Sequence, residues 1–150
     1  MINSKPCCRF FAFLAMFFVL MGQAFAQNAN YIGASGAAAD GYDVVAYFTL
    51  MKPVVGDATM VAQHNGATYR FSSRENLDAF TANPEKYAPQ YGGHCAFAAS
   101  FGKKAPGDPN QWKVVDGKLY LNVNANVQKK WDADVPGFIA RADEQWPKVK

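Results

Sequence analysis

Two dipeptides, Asn65-Gly66 and Asp116-Gly117, constrain the fold more than any other feature of the chain. Each suits the positive φ angles of a two-residue type I′ turn, and each lies between two stretches of strand-forming residues. Residues 59–71 are therefore predicted to form one antiparallel hairpin, and residues 112–121 a second one. Because side chains alternate along a strand, the first turn places His64 on the apolar face of its hairpin.

A helix is predicted after each hairpin. Ser72 and Glu75 have the spacing of a capping box, in which the serine caps the helix and the glutamate reaches back. After the second hairpin, Asn126 is expected to cap a helix, and Pro136 begins a further helical stretch. The predicted fold is thus α+β, a single small domain with two β-hairpins that are each followed by helix.

The two halves also align with each other. Pairing residue 65 with residue 116, an offset of 51, also pairs Tyr69 with Tyr120 and Phe80 with Trp131. We interpret this agreement as the internal duplication of a hairpin-helix unit. On this interpretation Gly92-Gly93-His94-Cys95 is an insertion in the second half, and a localised function would lie there.

The stretch 91–96, YGGHCA, concentrates the reactive side chains. Its two glycines allow a sharp turn and the following residues favour helix, so Cys95 is predicted near a helix N-terminus. At such a position the helix dipole stabilises a thiolate, which is the form that binds metals and attacks disulfides. The alternative is a buried structural cysteine, because free cysteine is among the most buried residue types.

The N-terminus has the pattern of a secretory signal peptide over residues 1–26. Basic residues precede an apolar run, and 24–26, AFA, supplies small residues at the cleavage positions. We predict cleavage after Ala26, a periplasmic or secreted location, and no membrane span in the mature chain. Residues 27–40 are small and polar and predict a flexible linker, followed by the folded domain over residues 41–150.

The net charge and the number of cysteines limit which functions are possible for the mature chain. Lys5 and Arg9 are removed with the signal, which leaves 13 of the 15 basic residues against 12 acidic ones. This balance gives no electrostatic case for binding nucleic acid. Cys7 and Cys8 are removed as well, so Cys95 is the one remaining thiol and has no partner for an internal disulfide.

The chain resembles the YHS domain family, in particular its small exported bacterial members. The resemblance rests on residues 41–48 (GYDVVAYF), 65–73 (NGATYRFSS) and 80–87 (FTANPEKY), with 91–96 and 116–122 downstream. It covers nearly the whole mature chain. YHS and related domains are associated with heavy metals, notably beside copper-transport modules, so the resemblance implies a metal-related role.

The chain departs from the metal-binding relatives at one motif. In those relatives the knuckle between hairpin and helix carries cysteines, and the matching positions here are Ser72 and Asn76. Hydroxyl and amide groups are poor ligands for soft metals, so no structural zinc is expected at this knuckle. A copper site would have to use other residues, and we expect Cys95 and His94, with His64 or a methionine such as Met51 or Met60 as a further ligand.

Three functions remain open at this stage, and none of them assigns a catalytic residue. The first is a non-catalytic, metal-associated protein that binds copper or another soft metal through Cys95 and His94. The second is a thiol-based redox protein that uses Cys95, although the chain has no C-x-x-C motif. The third is a domain that binds a small ligand or a protein partner in an aromatic cleft. The side chains expected to line that cleft are Tyr47, Tyr87, Tyr91 and Phe97.

Overall fold

The computed structural model describes residues 29–149, which form the predicted mixture of helix and strand. The first half contains a 3₁₀ turn at Ala39–Gly41, then α1 (Ala46–Thr49), β1 (Asp57–His64), β2 (Ala67–Phe71), α2 (Arg74–Ala82) and α3 (Pro84–Tyr87). The second half contains a 3₁₀ turn at Gln90–Gly93, then α4 (Ala96–Ala99), β3 (Asp108–Val115), β4 (Lys118–Asn122), α5 (Ala125–Asp132) and α6 (Val135–Gln145), and closes with a 3₁₀ turn at Trp146–Lys148. The predicted α+β class, with two hairpins each followed by helices, is confirmed.

Both hairpins have the predicted turns and register. The turn residues lie in the left-handed region, with φ of 48° at Asn65 and 50° at Asp116, each followed by a glycine at positive φ. His64 pairs with Ala67 in the first hairpin. Both antiparallel pairs lose their regular register near the far end from the turn, between residues 57 and 61 and between residues 108 and 112.

The structure supports the internal duplication and corrects its boundaries. The first residues of β1 and β3, of β2 and β4, of α2 and α5, and of α3 and α6 are all 51 positions apart. The turn Gln90–Gly93 corresponds at the same offset to Ala39–Gly41, so Gly92-Gly93-His94-Cys95 is not an insertion. Tyr91 at φ 55° repeats the left-handed backbone of Asp40 at φ 49°. At this offset His94 is the counterpart of Asp43.

Strand β4 joins two hydrophobic clusters into one fold. Leu119 and Leu121 pack into the cluster of the first half, where Phe80 is buried. Tyr120, on the opposite face of the strand, packs with Trp131 into the cluster of the second half. Because side chains alternate along a strand, β4 is buried on both faces and lies between the two clusters.

The fold begins before residue 41. Ala37, Ala38 and Ala39 are at most 2% exposed. The backbone N–H of Ala38 donates to Thr68 O at 2.9 Å, and these small side chains let the segment lie against β2. These residues therefore pack against the domain, although they fall within the predicted flexible linker over residues 27–40. The predicted signal peptide lies outside the described residues, and no described helix has the length and apolar character needed to cross a membrane.

Two predicted helix caps are displaced. Helix α2 is capped by Ser73, whose Oγ accepts the backbone N–H of Asn76 at 3.1 Å, and not by Ser72. Helix α5 is capped by Asn124, whose Oδ1 accepts a first-turn backbone N–H at 2.9 Å, and not by Asn126. The serine prediction fails because Ser72 donates its hydroxyl to a buried carboxylate on another segment.

Candidate functional site

A buried carboxylate fills the knuckle between β2 and α2. Asp43 is fully buried, and its Oδ2 accepts hydrogen bonds from Ser72 N at 2.8 Å, Ser72 Oγ at 2.6 Å and Asn76 Nδ2 at 2.7 Å. Its Oδ1 accepts the backbone N–H of Val45 at 2.9 Å and that of Ala46 at 3.3 Å. The two positions where metal-binding relatives have cysteines therefore donate to a carboxylate, and they join the start of α1 to the start of α2.

In the second half a different residue makes the corresponding connection between two helix starts, which we call the joint. Asn122, at the end of β4, is fully buried. Its Oδ1 accepts the backbone N–H of Phe97 at 3.0 Å and the thiol of Cys95 at 3.4 Å. Its Nδ2 donates to Gln128 Oε1 at 2.9 Å. A strand residue thus connects α4 to α5, and residue 94 takes no part in this joint.

Cys95 faces the interior. Its side chain is 1% exposed and directs its thiol at Asn122. The residue precedes α4 as predicted, but that helix has only four residues and so offers a thiolate very little dipole. The backbone N–H of Cys95 donates to Ala105 O at 2.9 Å, which fixes the following loop. This geometry favours the structural role for Cys95 over the reactive one.

A tight turn presents His94. Tyr91, Gly92 and Gly93 all have left-handed backbone, with φ of 55°, 61° and 79°. The turn brings Tyr91 O within 3.0 Å of His94 Nδ1 and 3.1 Å of the His94 backbone N–H. Because a carbonyl can only accept, Nδ1 carries the ring proton in the neutral imidazole and Nε2 carries the lone pair. The imidazole is therefore fixed in one tautomer.

The imidazole of His94 is held neutral. Burial lowers the pKa of His94 below its ordinary value, the hydrogen bond to Tyr91 O partly opposes this effect, and the charge of Lys104 lowers the pKa further. The ring lies edge-on to Tyr31, with centroids 5.7 Å apart, and tilted against Trp146 at 5.2 Å. Within residues 29–149, Nδ1 is the ring nitrogen of His94 that has a hydrogen-bond partner, and Nε2 has none.

An open cleft of about 200 Å³ lies beside this ring. The residues that line it are Tyr31, His94, Lys104, Ala105 and Pro106. The backbone N–H of Tyr31 donates to Gly92 O at 2.8 Å, which places the N-terminal wall. The opposite wall is fixed by the bond from Cys95 N to Ala105 O. Both walls are therefore tied to the backbone that carries His94.

The three predicted metal ligands do not converge. His64 lies in the first half, with Nε2 3.0 Å from Glu85 Oε1 and its ring against Phe80. The thiol of Cys95 faces Asn122 and not the cleft. In the part of the chain that the structure describes, no three His, Cys, Asp or Glu side chains form a group that could hold a metal ion. These residues do not fit a three-ligand copper site.

The four aromatic residues predicted to line a cleft are divided between the two clusters. Tyr47 is fully buried and donates its hydroxyl to a backbone carbonyl at 2.7 Å, and Tyr87 packs beside the same cluster. Tyr91 donates its hydroxyl to Asp143 Oδ1 at 2.9 Å, and Phe97 packs against the second cluster. Burial raises the pKa of the Tyr47 and Tyr91 hydroxyls well above the usual value. The four side chains do not form one cleft.

The sequence analysis missed Tyr31 and Lys104. Tyr31 lies in the segment assigned to the linker, and Lys104 lies in a polar loop. The one local signal was a single tyrosine within a stretch of small and polar residues. The contact of both residues with the His94 cleft depends on long-range backbone hydrogen bonds that no local pattern encodes.

A known family matches one segment of the chain, most of which lies in the first half. The YHS domain family model matches residues 52–91. The matched segment contains the first hairpin, α2 and α3, and ends three positions before His94. Comparisons with curated proteins and with solved structures give no significant match.

Proposed function

This chain carries a YHS domain, and from that premise we propose that it is an exported, non-catalytic binding protein whose ligand contacts His94. One observation carries the proposal: the Nε2 atom of a mostly buried imidazole has no partner within residues 29–149 and belongs to a ring that lines an open cleft. The cleft is open, so a ligand can reach this nitrogen and donate a hydrogen bond to its lone pair.

The cleft supports binding better than catalysis. A catalytic nucleophile is usually a thiol, hydroxyl or carboxylate that has a base within hydrogen-bond reach. Among residues 29–149, the five that line the cleft include no carboxylate and no thiol. Their polar side chains are those of Tyr31, His94 and Lys104. Recognition needs only a few placed polar groups on an apolar wall, and Ala105 and Pro106 supply such a wall.

A metal-associated role is the second candidate. The YHS family supports it, and so does one feature of His94: a metal-bound imidazole usually donates its other ring N–H to a carbonyl or a carboxylate, as Nδ1 does here. With one ligand from the protein, copper(I) would need its other ligands from a carrier molecule. The charge of Lys104 at the cleft weighs against a cation.

A thiol-based redox function has weaker support. The thiol of Cys95 is buried and engaged with Asn122. Disulfide exchange needs an accessible thiolate and, for turnover, a resolving thiol. Cys7 and Cys8, the other cysteines of the chain, fall within the predicted signal peptide.

Export is tested separately from binding. We expect the protein in the periplasmic fraction with an N-terminus at Gln27, as measured by intact mass. Recovery from the cytoplasmic fraction would contradict export, and a species that retains Met1 would contradict cleavage after Ala26. Such a species would also return Cys7 and Cys8 to consideration as thiols of the folded protein.

Binding is tested by NMR titration of the exported protein. The probes are copper(I), acetate, glycolate and acetamide, and the readout is the side-chain signals of His94 and His64. We expect at least one probe to shift His94 while His64 stays unchanged. The variant His94→Asn keeps an amide donor for Tyr91 O but lacks Nε2, so the shift in nearby signals should disappear, whereas His64→Asn should preserve it. If no probe perturbs His94, the proposal fails.

A further inference from the structure

The side chains that line the cleft indicate which class of small molecule it binds. This inference rests on the proposed binding function. Among the five lining residues, Lys104 is the one with a full charge at neutral pH. Its side chain is exposed and forms no ion pair within residues 29–149. The cleft therefore offers one unneutralised positive charge to a ligand.

His94 offers the opposite kind of group. With Nδ1–H donated to Tyr91 O, its Nε2 presents a lone pair and can only accept. A bare carboxylate also only accepts, so it can pair with Lys104 but gains nothing from the neutral imidazole. A ligand that satisfies both residues must carry a negative charge and, close to it, a hydrogen-bond donor.

We infer that the cleft binds a small hydroxycarboxylate, with its carboxylate on Lys104 and its hydroxyl donating to Nε2 of His94. The volume of about 200 Å³ fits this size of ligand. The side chains of Ala105 and Pro106 would face the short carbon chain.

The test compares glycolate with acetate, which have the same charge and differ by the hydroxyl group. Dissociation constants are measured by NMR at pH 7.5 and at low salt on the exported protein. We expect glycolate to bind about threefold to tenfold more tightly than acetate, which is the effect of one net hydrogen bond. The variant His94→Asn should bind the two acids equally.

Lys104→Gln and Lys103→Gln form a matched pair, because both lysines are exposed neighbours and only Lys104 lines the cleft. Lys104→Gln should weaken both acids by about threefold or more, and Lys103→Gln should leave both unchanged. If the two substitutions weaken binding equally, the lysine charges attract the acids only non-specifically, and the inference is wrong.

A second readout uses pH. The titratable groups around the imidazole are Tyr31 and Lys104 across the cleft and Tyr91 in the turn, whose hydroxyl is paired with Asp143 on α6. Once His94 is protonated, Nε2 becomes a donor and binds either carboxylate. The preference for glycolate should therefore shrink, and acetate should bind more tightly, as the pH falls through the lowered pKa of His94.

The outcomes separate this inference from the proposed function. If copper(I) or acetamide shifts His94 and neither acid does, the cleft is a binding site and the hydroxycarboxylate inference is wrong. If acetate and glycolate bind equally at pH 7.5, the role of Nε2 is wrong. If no probe reaches His94, both proposals fail. Tighter glycolate binding that depends on Lys104 and His94 supports both.

Discussion

Residues 43 and 94 occupy equivalent positions in the two halves and have opposite environments. The carboxylate of Asp43 is fully buried and accepts five hydrogen bonds from two segments. The imidazole of His94 has one ring nitrogen on a local carbonyl and the other without a partner in the described chain. One copy of the duplicated unit uses this position to hold the fold together, and the other presents it to a cleft.

The difference is explained by Asn122. In the second half this strand residue bonds both the start of α4 and α5, which is the connection that Asp43 makes in the first half. Because the joint is made from the strand, residue 94 is released from it. A duplicated scaffold can thus keep the same element order while one position loses its structural role and becomes available to a ligand.

The largest effects should show that the two halves fold as one unit. Phe80→Ala and Trp131→Ala empty equivalent sites in the two clusters, where the side chains are 1% and 0% exposed. Each should reduce the free energy of unfolding by about 3–5 kcal/mol. Because β4 lies between the clusters, chemical denaturation of each variant should show a single transition by both fluorescence and circular dichroism. Separate unfolding transitions for the two halves would contradict the claim that they fold as one unit.

Removing the second joint should have the next largest effect. Asn122→Ala leaves the backbone N–H of Phe97 and the amide of Gln128 without their partner, and should cost about 2–3 kcal/mol of unfolding free energy. The control is Asn124→Ala, which removes only the cap of α5 and should cost about 1 kcal/mol. Equal losses in the two variants would mean that Asn122 is not a joint.

A smaller effect is expected at Cys95. Cys95→Ser places a hydroxyl that can still donate to Asn122, so the loss should be about 1 kcal/mol. In the native wild-type protein, alkylation of the thiol should be slow at every pH up to about 9, and denaturant should make it fast. Rapid labelling of the native protein would show an accessible thiol and would revive the redox alternative.

The smallest effect is the pH dependence that His94 adds to the stability of the fold. Since the pKa of His94 is lowered by folding, the unfolded chain binds more protons just below the ordinary value of about 6.5. The free energy of unfolding should therefore fall as the pH decreases from 7 through that range, until His94 itself protonates in the folded state. His94→Asn should flatten this slope relative to wild type. An unchanged slope in His94→Asn would assign it to other groups.

Local chemistry explains which parts of the structure could be predicted from sequence. The Asn65-Gly66 and Asp116-Gly117 turns depend on the backbone preferences of adjacent residues, and both hairpins were found correctly. The cap at Ser72 was wrong because a residue 29 positions away, Asp43, takes its hydroxyl. A rule based on local sequence spacing cannot detect a hydrogen-bond acceptor so far away in the chain.

The candidate site was predicted only in part for the same reason. His94 could be singled out from the residues themselves, since it lies beside two glycines in the most reactive stretch of the chain. Its cleft could not, because Tyr31 reaches it through a bond to Gly92 O across 61 positions. The predicted partnership of His94 with Cys95 and His64 assumed that the side chains converge, and this depends on the direction of each one in the fold.

The central claim is that position 43 is structural and position 94 is not, and the most direct test compares Asp43→Asn with His94→Asn by chemical denaturation. Asp43→Asn turns one acceptor oxygen into an NH₂ group that faces buried donors, and should cost about 3–5 kcal/mol of unfolding free energy. His94→Asn keeps a donor for Tyr91 O and should cost about 1 kcal/mol. Equal losses, or a larger loss for His94→Asn, would contradict the account.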